Sequence, residues 1–382
     1  MIKLLKIFGV VVALLMVIAV VKNVANKKTT KETSMAEQTV LESGDYVRDL
    51  IKWPDRPYDL HIPSGYDASR PTAIVLALHG GGADSKGAAK ITCPNGNLDS
   101  SKCLNALADR EGFVVVYPNG ASRPLFPNIR TWNAGGGEKG YICVSEYGCE
   151  NKIDDIAYFK DLLSELSKII NIDRARVYAA GISNGGAMSH RLACELSDWI
   201  VAIAAVGGGN QFSTMTSCNP SRPVSVLQIH GTDDPAWPYN GGPGIKEGGN
   251  YFSAPKTVSE WASRNKCSAE PAKENILDTA NDGTSSVKES YGNCSKGGDV
   301  VLIKIDGGGH TWPQGNQYLP ERSIGRTGQD FNANEIIWQF FKNHPRKTDQ
   351  VSLFPDTPTP VSSETSAQKN SATNNIFDQT TH

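Results

Sequence analysis

The sequence predicts an α/β fold, a mostly parallel sheet with helices on both faces, and three observations carry that expectation. The first is a set of continuous apolar runs, Ala73–Leu78, Phe113–Tyr117, Val201–Val206, Val224–Ile229 and Val300–Ile305, which read as strands buried on both faces. The second is the helical spacing between them, at Leu104–Glu111 and at Asp154–Ile170, where Ile156, Phe159, Leu162, Leu163, Leu166 and Ile169 are apolar. Strands alternating with helices imply a parallel sheet. The third is the run from Arg176 to Ile182, which passes through Gly181-Ile182-Ser183-Asn184-Gly185 into Ala187-Met188-Ser189-His190-Arg191-Leu192. A strand, a Gly-x-Ser-x-Gly turn and a helix in that order leave the serine exposed on a sharp bend.

In chain order, Lys3 and Lys6 precede the apolar run Ile7–Val21, and Lys22, Lys27 and Lys28 follow it. The run is shorter than the roughly 20 apolar residues of a bilayer span unless Lys6 snorkels. Residues 1–28 therefore read as a signal peptide or a membrane anchor, and 29–54 as a linker. Tyr58–Ile62 alternates as a half-buried strand does, and 55–345 reads as one large catalytic domain, with Phe331–Phe341 a closing helix. Residues 346–382, rich in Ser, Thr, Asn, Gln and Pro, read as a disordered polar tail. The 38 basic and 40 acidic residues give a net charge of −2 without a long run of either sign in the middle of the chain, which argues against nucleic acid as a partner. Membrane attachment is expected only through the N-terminal segment, and a monomer is expected.

Eight cysteines lie beyond the apolar run, with no Cys-x-x-Cys pair and no histidine at zinc-ligand spacing. Behind an export segment they read as disulfides formed in an oxidising space. The expected pairing is sequential: Cys93 with Cys103, Cys143 with Cys149, Cys194 with Cys218, and Cys267 with Cys294. No metal site is expected.

A serine hydroxyl needs a base to take its proton, and the base needs a third group to fix its tautomer. With Ser183 as nucleophile, the candidates on loops after later strands are Asp234, in His230-Gly231-Thr232-Asp233-Asp234, and His310, in Gly307-Gly308-Gly309-His310. Asp233 competes with Asp234. The order Ser, Asp, His is that of α/β-hydrolases. After the strand ending at Leu78, His79-Gly80-Gly81-Gly82 offers free N–H groups, so an oxyanion hole is expected from the N–H groups of Gly81 and Asn184. His79 and His230 read as structural, and His61, His190, His344 and His382 as surface or core residues. Trp132, Trp237, Tyr239 and Trp312 flank these loops and are expected to contact substrate.

Leu78-His79-Gly80-Gly81, Phe113-Val114-Val115-Val116-Tyr117-Pro118-Asn119-Gly120, Trp132-Asn133-Ala134-Gly135-Gly136, Gly181-Ile182-Ser183-Asn184-Gly185-Gly186-Ala187-Met188, His230-Gly231-Thr232-Asp233-Asp234 and Gly308-Gly309-His310-Thr311-Trp312-Pro313 together resemble the polyhydroxybutyrate depolymerase and feruloyl esterase group of secreted α/β-hydrolases. The likeness covers roughly residues 55–345. It implies Ser183 as nucleophile, Asp234 rather than Asp233 as orienting acid, and His310 as base. It also implies extracellular hydrolysis of a polymer-linked ester, feruloyl or acetyl esters of plant polysaccharide or a polyhydroxyalkanoate, with no metal or organic cofactor. The segment Gly137–Lys152 departs from the group's compact pattern and is expected to border the cleft. A non-catalytic extracellular binding protein and a serine peptidase on the same fold are the alternatives. The catalytic domain is expected outside the cytoplasm, secreted or held by the N-terminal segment.

Overall fold

The computed structural model describes residues 41–347, except 124, 245–248 and 295–296. The expected leader and nearly all of the expected tail lie outside the described residues. The strands are β1 (Gly44–Leu50), β2 (Trp53–Ile62), β3 (Thr72–Leu78), β4 (Phe113–Pro118), β5 (Ala121–Arg123), β6 (Phe126–Thr131), β7 (Ile172–Ile182), β8 (Ala202–Val206), β9 (Ser225–Gly231), β10 (Gly242–Pro243), β11 (Asn250–Tyr251), β12 (Ala272–Ile276), β13 (Ser285–Tyr291) and β14 (Val300–Asp306). Ten of them form one sheet in the order β1-β2-β4-β3-β7-β8-β9-β14-β13-β12. From β4 to β14 the neighbours run parallel. Antiparallel strands flank them on both sides.

The helices are α1 (Ser85–Ile91), α2 (Leu104–Glu111), α3 (Glu146–Glu150), α4 (Asp155–Ile169), α5 (Asn184–Glu195), α6 (Ala254–Asn265), α7 (Glu321–Ile324) and α8 (Ala333–Asn343). Successive side chains of a strand point to opposite faces, and both faces here are covered. Ile74, Leu76 and Leu78 join the core under α4, α5 and α6. Ala73, Val75 and Ala77 join the core under α1, α2 and α8. A strand packed on both sides has no polar face to offer, so β3 reads as an unbroken apolar run. At the start of α4 the Asp154 carboxylate accepts the Ala157 N–H at 2.9 Å, a cap worth about 1 kcal/mol.

The chain runs from β3 outward to β4, then returns to β7 and proceeds the other way through β8, β9 and β14. The strand order therefore reverses between β3 and β7, and crevices open at the carboxyl ends of strands where it does. Gly80–Gly82 leave one strand there and Ser183 leaves the other.

Two boundaries and one strand pair differ from expectation. Residues 44–54 are not linker but β1 and the start of β2; β1 is an edge strand whose Val47 is exposed, so it lacks the alternation that marks a half-buried strand. The antiparallel β12 and β13 were not expected, because β12 is polar and exposed along most of its length. The tail does not begin at 346, since Arg346 is buried and its guanidinium donates to the carbonyls of Ser197, Asp198 and Ile200.

Disulfides join Cys93 to Cys103, Cys143 to Cys149, Cys194 to Cys218 and Cys267 to Cys294, across 10, 6, 24 and 27 residues. No helix among the described residues is long and apolar enough to cross a membrane.

Candidate active site

Ser183 joins β7 to α5 with φ 57° and ψ −121°, in the region that favours glycine. A non-glycine residue held there is strained, and such strain clusters at functional sites. The turn has no room for more side chains: a Cβ on Gly185 would lie 2.5 Å from the Leu78 carbonyl oxygen. The Ser183 N–H donates to the Val206 carbonyl at 2.8 Å, which ties the bend to the end of β8.

Asn184 opens α5, so its N–H belongs to the first helical turn and has no intrahelical acceptor. Its side chain is occupied elsewhere. Oδ1 accepts from Trp132 N at 2.7 Å and Thr131 Oγ1 at 3.1 Å, and Nδ2 donates to Trp132 O at 3.0 Å. Gly80 and Gly81 lie alongside, where a Cβ would come 3.6 Å from the Ser183 Cβ and 3.5 Å from the Asn184 Cβ respectively. Gly82 N–H is committed to the Arg130 carbonyl at 2.8 Å, whereas among the described residues Gly81 N–H and Asn184 N–H have no acceptor. Two such donors beside a hydroxyl can receive a developing oxyanion.

Asp234 is buried just after β9. Its Oδ1 accepts the N–H groups of Ala236 and Trp237 at 2.9 and 2.7 Å, and its Oδ2 accepts from His310 Nδ1 at 2.7 Å. Burial pushes this carboxyl up, but the charge of His310 and the hydrogen bonds of His230 and His310 outweigh it and hold the group well below the usual carboxylate range. With Nδ1 donating, the Nε2 of a neutral His310 ring is left as the proton acceptor. Asp233 is exposed, and among the described residues its carboxylate accepts only from Thr232 Oγ1, at 3.3 Å.

The end of β8 links the two halves, through residues the sequence reading passed over. A Cβ on Gly207 would lie 3.0 Å from His310 Nδ1, and one on Gly208 would lie 2.2 Å from the Ser183 carbonyl oxygen. Three glycines after a buried strand, Gly207-Gly208-Gly209, were the available signal. Behind them runs a chain of buried hydrogen bonds. Trp261 Nε1 donates to His190 Nδ1 at 3.1 Å, so His190 Nε2 donates to Gln228 Oε1 at 3.0 Å. Gln228 Nε2 then donates to Gly208 O at 3.1 Å and His230 Nδ1 at 3.2 Å, and His230 Nε2 donates to Trp237 O at 2.8 Å. Each tautomer follows from the indole at the start, which can only donate. His79 is similarly committed, donating from Nδ1 to Gly80 O at 2.8 Å and accepting the Gly120 N–H at Nε2 at 2.9 Å. Burial pushes both His79 and His190 down to about 4, so both stay neutral at pH 7.

Ser183, Asn184 and Gly81 open on a cleft of about 480 Å³. Phe126, Ile129 and Thr131 of β6 line one wall, and Val144, Ser145 and Tyr147 another. The second group belongs to Gly137–Lys152, closed by Cys143–Cys149. Of the four aromatic residues expected at substrate, Trp237 borders the cleft, but its side chain is almost fully buried and its Nε1 donates to Phe252 O at 2.9 Å. The other three are corrected. Trp132 is fully buried, donating from Nε1 to His79 O at 3.0 Å and packing on Phe159. Trp312 is buried in the core on the opposite face of the sheet, with Nε1 donating to Asn334 Oδ1 at 3.0 Å. Tyr239 packs edge-on to His230, 5.9 Å between centroids, and is not part of the cleft lining. Proximity in sequence to a catalytic loop fixes a residue's Cα and not the direction of its ring, and a buried indole N–H turns to an internal acceptor.

No family model matches the chain. Over 254 residues, 65% of this chain, it is 30% identical to feruloyl esterase B of Piromyces equi, of which it spans 41%. It is 27% identical over 289 residues to feruloyl esterase C of Emericella nidulans, covering 75% of this chain and 83% of that protein. Among solved structures, an acetyl xylan esterase from Aspergillus awamori matches 70% of this chain and 94% of its own, at 15% identity and a TM-score of 0.47. A parallel sheet with antiparallel edges, helices on both faces and a strained serine between strand and helix is the α/β-hydrolase architecture. The chain is similar in sequence to these feruloyl esterases, and its architecture is that of an α/β-hydrolase.

Proposed function

We propose that the chain is a serine carboxylic-ester hydrolase, with Ser183 as nucleophile, His310 as general base, Asp234 as orienting acid, and the N–H groups of Gly81 and Asn184 as oxyanion donors. His310 Nε2 takes the proton as Ser183 Oγ attacks the ester carbonyl. Negative charge develops on the carbonyl oxygen, where each donor contributes on the order of 10²-fold or more in turnover. The imidazolium then protonates the departing alcohol, an acyl-enzyme remains, and water activated by the same imidazole releases the acid. Asp234 stays ionised throughout and stabilises the imidazolium.

The observation that carries this reading is the Asp234–His310 hydrogen bond of 2.7 Å, at the same edge of the sheet as the strained Ser183. The names of the relatives support ester hydrolysis, and with the sequence motifs they favour feruloyl or acetyl esters on plant polysaccharide, or hydroxyalkanoate polyesters, as substrates. Four disulfides favour an oxidising space outside the cytoplasm as the place of work. The test is twofold. A fluorophosphonate probe should label Ser183 in the folded chain, and a panel of methyl ferulate, acetylated xylan and short polyhydroxybutyrate oligomers should show turnover that the probe abolishes. Absence of both labelling and turnover in folded protein would favour a binding protein on this fold.

A further inference from the structure

Among the described side chains, the cleft lining contains two arginines, Arg123 and Arg130, and no aspartate or glutamate. Arg130 is only 8% exposed. Its Nη1 donates to the carbonyls of Asp55 at 2.8 Å and Gly120 at 3.0 Å. Among the described residues its Nε and Nη2 have no acceptor, and no carboxylate lies within ion-pair distance of it. Arg56, another buried arginine nearby, shows the usual solution: the Asp155 carboxylate stands 2.6 Å from its Nη2. Carbonyl dipoles orient the Arg130 guanidinium, and the charges of Asp55 and Asp84 reach it only from beyond ion-pair distance, so a buried cation here lacks a contacting anion.

Arg123 lies on the partner strand of the same hairpin. Ser122 pairs with Arg130 and Ala121 with Thr131, whose hydroxyl is bonded to Asn184. Arg123 is thus two positions beyond the strand end next to the nucleophile, about 7 Å along β5. Its guanidinium lies 5.8 Å from the centre of the Tyr147 ring on the opposite wall. That ring restricts the guanidinium without neutralising it. Among the described residues Arg123 has no ion pair either. Phe126 and Ile129 line the same cleft and give it apolar surface beside the two cations.

We propose that Arg130 and Arg123 form an anion-binding subsite of this cleft, selecting esters that carry a carboxylate on the portion lying along the β5–β6 hairpin. The inference rests on the ester-hydrolase reading of Ser183 and names the class of substrate: an ester of an acid-bearing molecule, such as one attached to an acidic sugar or formed by one end of a dicarboxylic acid. Guanidinium is suited to it, because its planar fork of donors matches a carboxylate in two parallel hydrogen bonds.

Ester pairs that differ chiefly in charge test the subsite: 4-nitrophenyl hexanoate against mono-4-nitrophenyl adipate for the acyl side, and 4-acetylphenyl acetate against 4-carboxyphenyl acetate for the alcohol side. Each rate is corrected for spontaneous hydrolysis. The wild-type chain should favour the anionic member of one pair by about 5- to 10-fold in kcat/KM at low salt. The preference should shrink as sodium chloride is raised, since partly exposed charges are screened. Arg123→Gln and Arg130→Gln should each lower the ratio, and Arg130→Lys should recover part of it. Arg130 also ties the hairpin to β2, so a fall in both members of a pair at a constant ratio is a structural loss and counts against the proposal. Should Arg130→Gln fail to fold, Arg123→Gln and the salt titration of the wild type still decide. A ratio near one in both pairs, or one indifferent to salt and to Arg123→Gln, overturns the subsite while leaving ester hydrolysis standing. If no ester of either charge is turned over and Ser183 resists the fluorophosphonate, the underlying reading fails and the subsite with it.

Discussion

Around Asp234 the carboxylate is buried and accepts from Ala236 N, Trp237 N and His310 Nδ1 with His230 Nε2 at 3.4 Å, whereas the β5–β6 hairpin across the cleft leaves Leu125, Phe126 and Ile129 exposed at 85%, 53% and 54%. The first region belongs to the large sheet, and its polar groups are fixed by the strands that carry them. The second is a two-stranded sheet of its own, faced by a segment clipped by one short disulfide. A two-stranded hairpin has little stability alone, so the wall depends on side chains that moor it to the floor. The contrast suggests a division of labour: the floor holds proton-transfer geometry within narrow limits, and the wall sets which molecule reaches it.

The sharpest way to break that contrast is at the floor. Asp234→Asn should lower kcat on a hydrolysed ester by about 10⁴-fold with the fold intact, because the imidazole loses the partner that fixes its tautomer. Asp233→Asn, at an exposed side chain, should change kcat by less than about 3-fold. Parallel kinetics on the two variants decide between them, and the reverse ranking would move the acid to Asp233.

Next in size is the mooring. Asp155 accepts from Arg56 Nη2 at 2.6 Å and from Asn133 N at 2.7 Å, so one buried carboxylate joins the start of α4, strand β2 and the residues following β6. Asp155→Asn should cost about 3–5 kcal/mol of folding free energy in urea titrations, since it leaves the Arg56 cation buried without a counter-charge. A loss below about 1 kcal/mol would mean that the aromatic rings around Arg56 suffice.

A smaller effect separates floor from wall by pH. His79 and His190 have folded-state values depressed to about 4, against an unfolded value near 6.5. Above 6.5 they are neutral in both states and contribute nothing to pH dependence. As pH falls below 6.5 the unfolded chain gains protons that the folded one refuses, so stability drops by about 1.4 kcal/mol per pH unit for each histidine until about pH 4. Asp234 does not confuse this window. Its depressed value gives stability that is complete above the ordinary carboxylate range and is lost only on further acidification. Urea midpoints at pH 7 and 5 should therefore show a decline that His190→Gln makes shallower; an unchanged slope in that variant would show that His190 does not refuse protons in the folded chain.

The smallest effect belongs to the wall. Replacing Cys143 and Cys149 together by Ser should raise KM for a bulky ester by about 2- to 5-fold with kcat nearly constant, the signature of lost uniform binding. A fall in kcat with KM unchanged would place the segment among the chemistry and erase the distinction.

Legibility in the sequence follows the same division. Buried parallel strands and the glycine-flanked serine leave strong signals, because sterics on both faces dictate composition. Asp234 could be separated from its neighbour only by resemblance; in the structure the difference is that its carboxylate receives two backbone N–H groups and Asp233 receives none. Edges were the weak point. β1 and β12 expose most of their side chains and so carry no alternation to read. Among the aromatic residues, Trp132 and Trp312 resemble substrate platforms by position alone, and only packing reveals that each indole is consumed by the interior. Gly207 and Gly208 are marked in the sequence as part of a glycine run after a buried strand, but what they make room for depends on three strands converging, which that run does not encode.

The four cross-links close rings of 6 to 27 residues and never bind distant parts of the chain to one another. In a chain-entropy picture each restrains the unfolded ensemble by about 2–4 kcal/mol. Because each pair of thiols is also nearest in sequence, a chain threading out of a pore would meet the right partner first, one ring at a time. Maturation on that schedule would leave little for an isomerase to reshuffle.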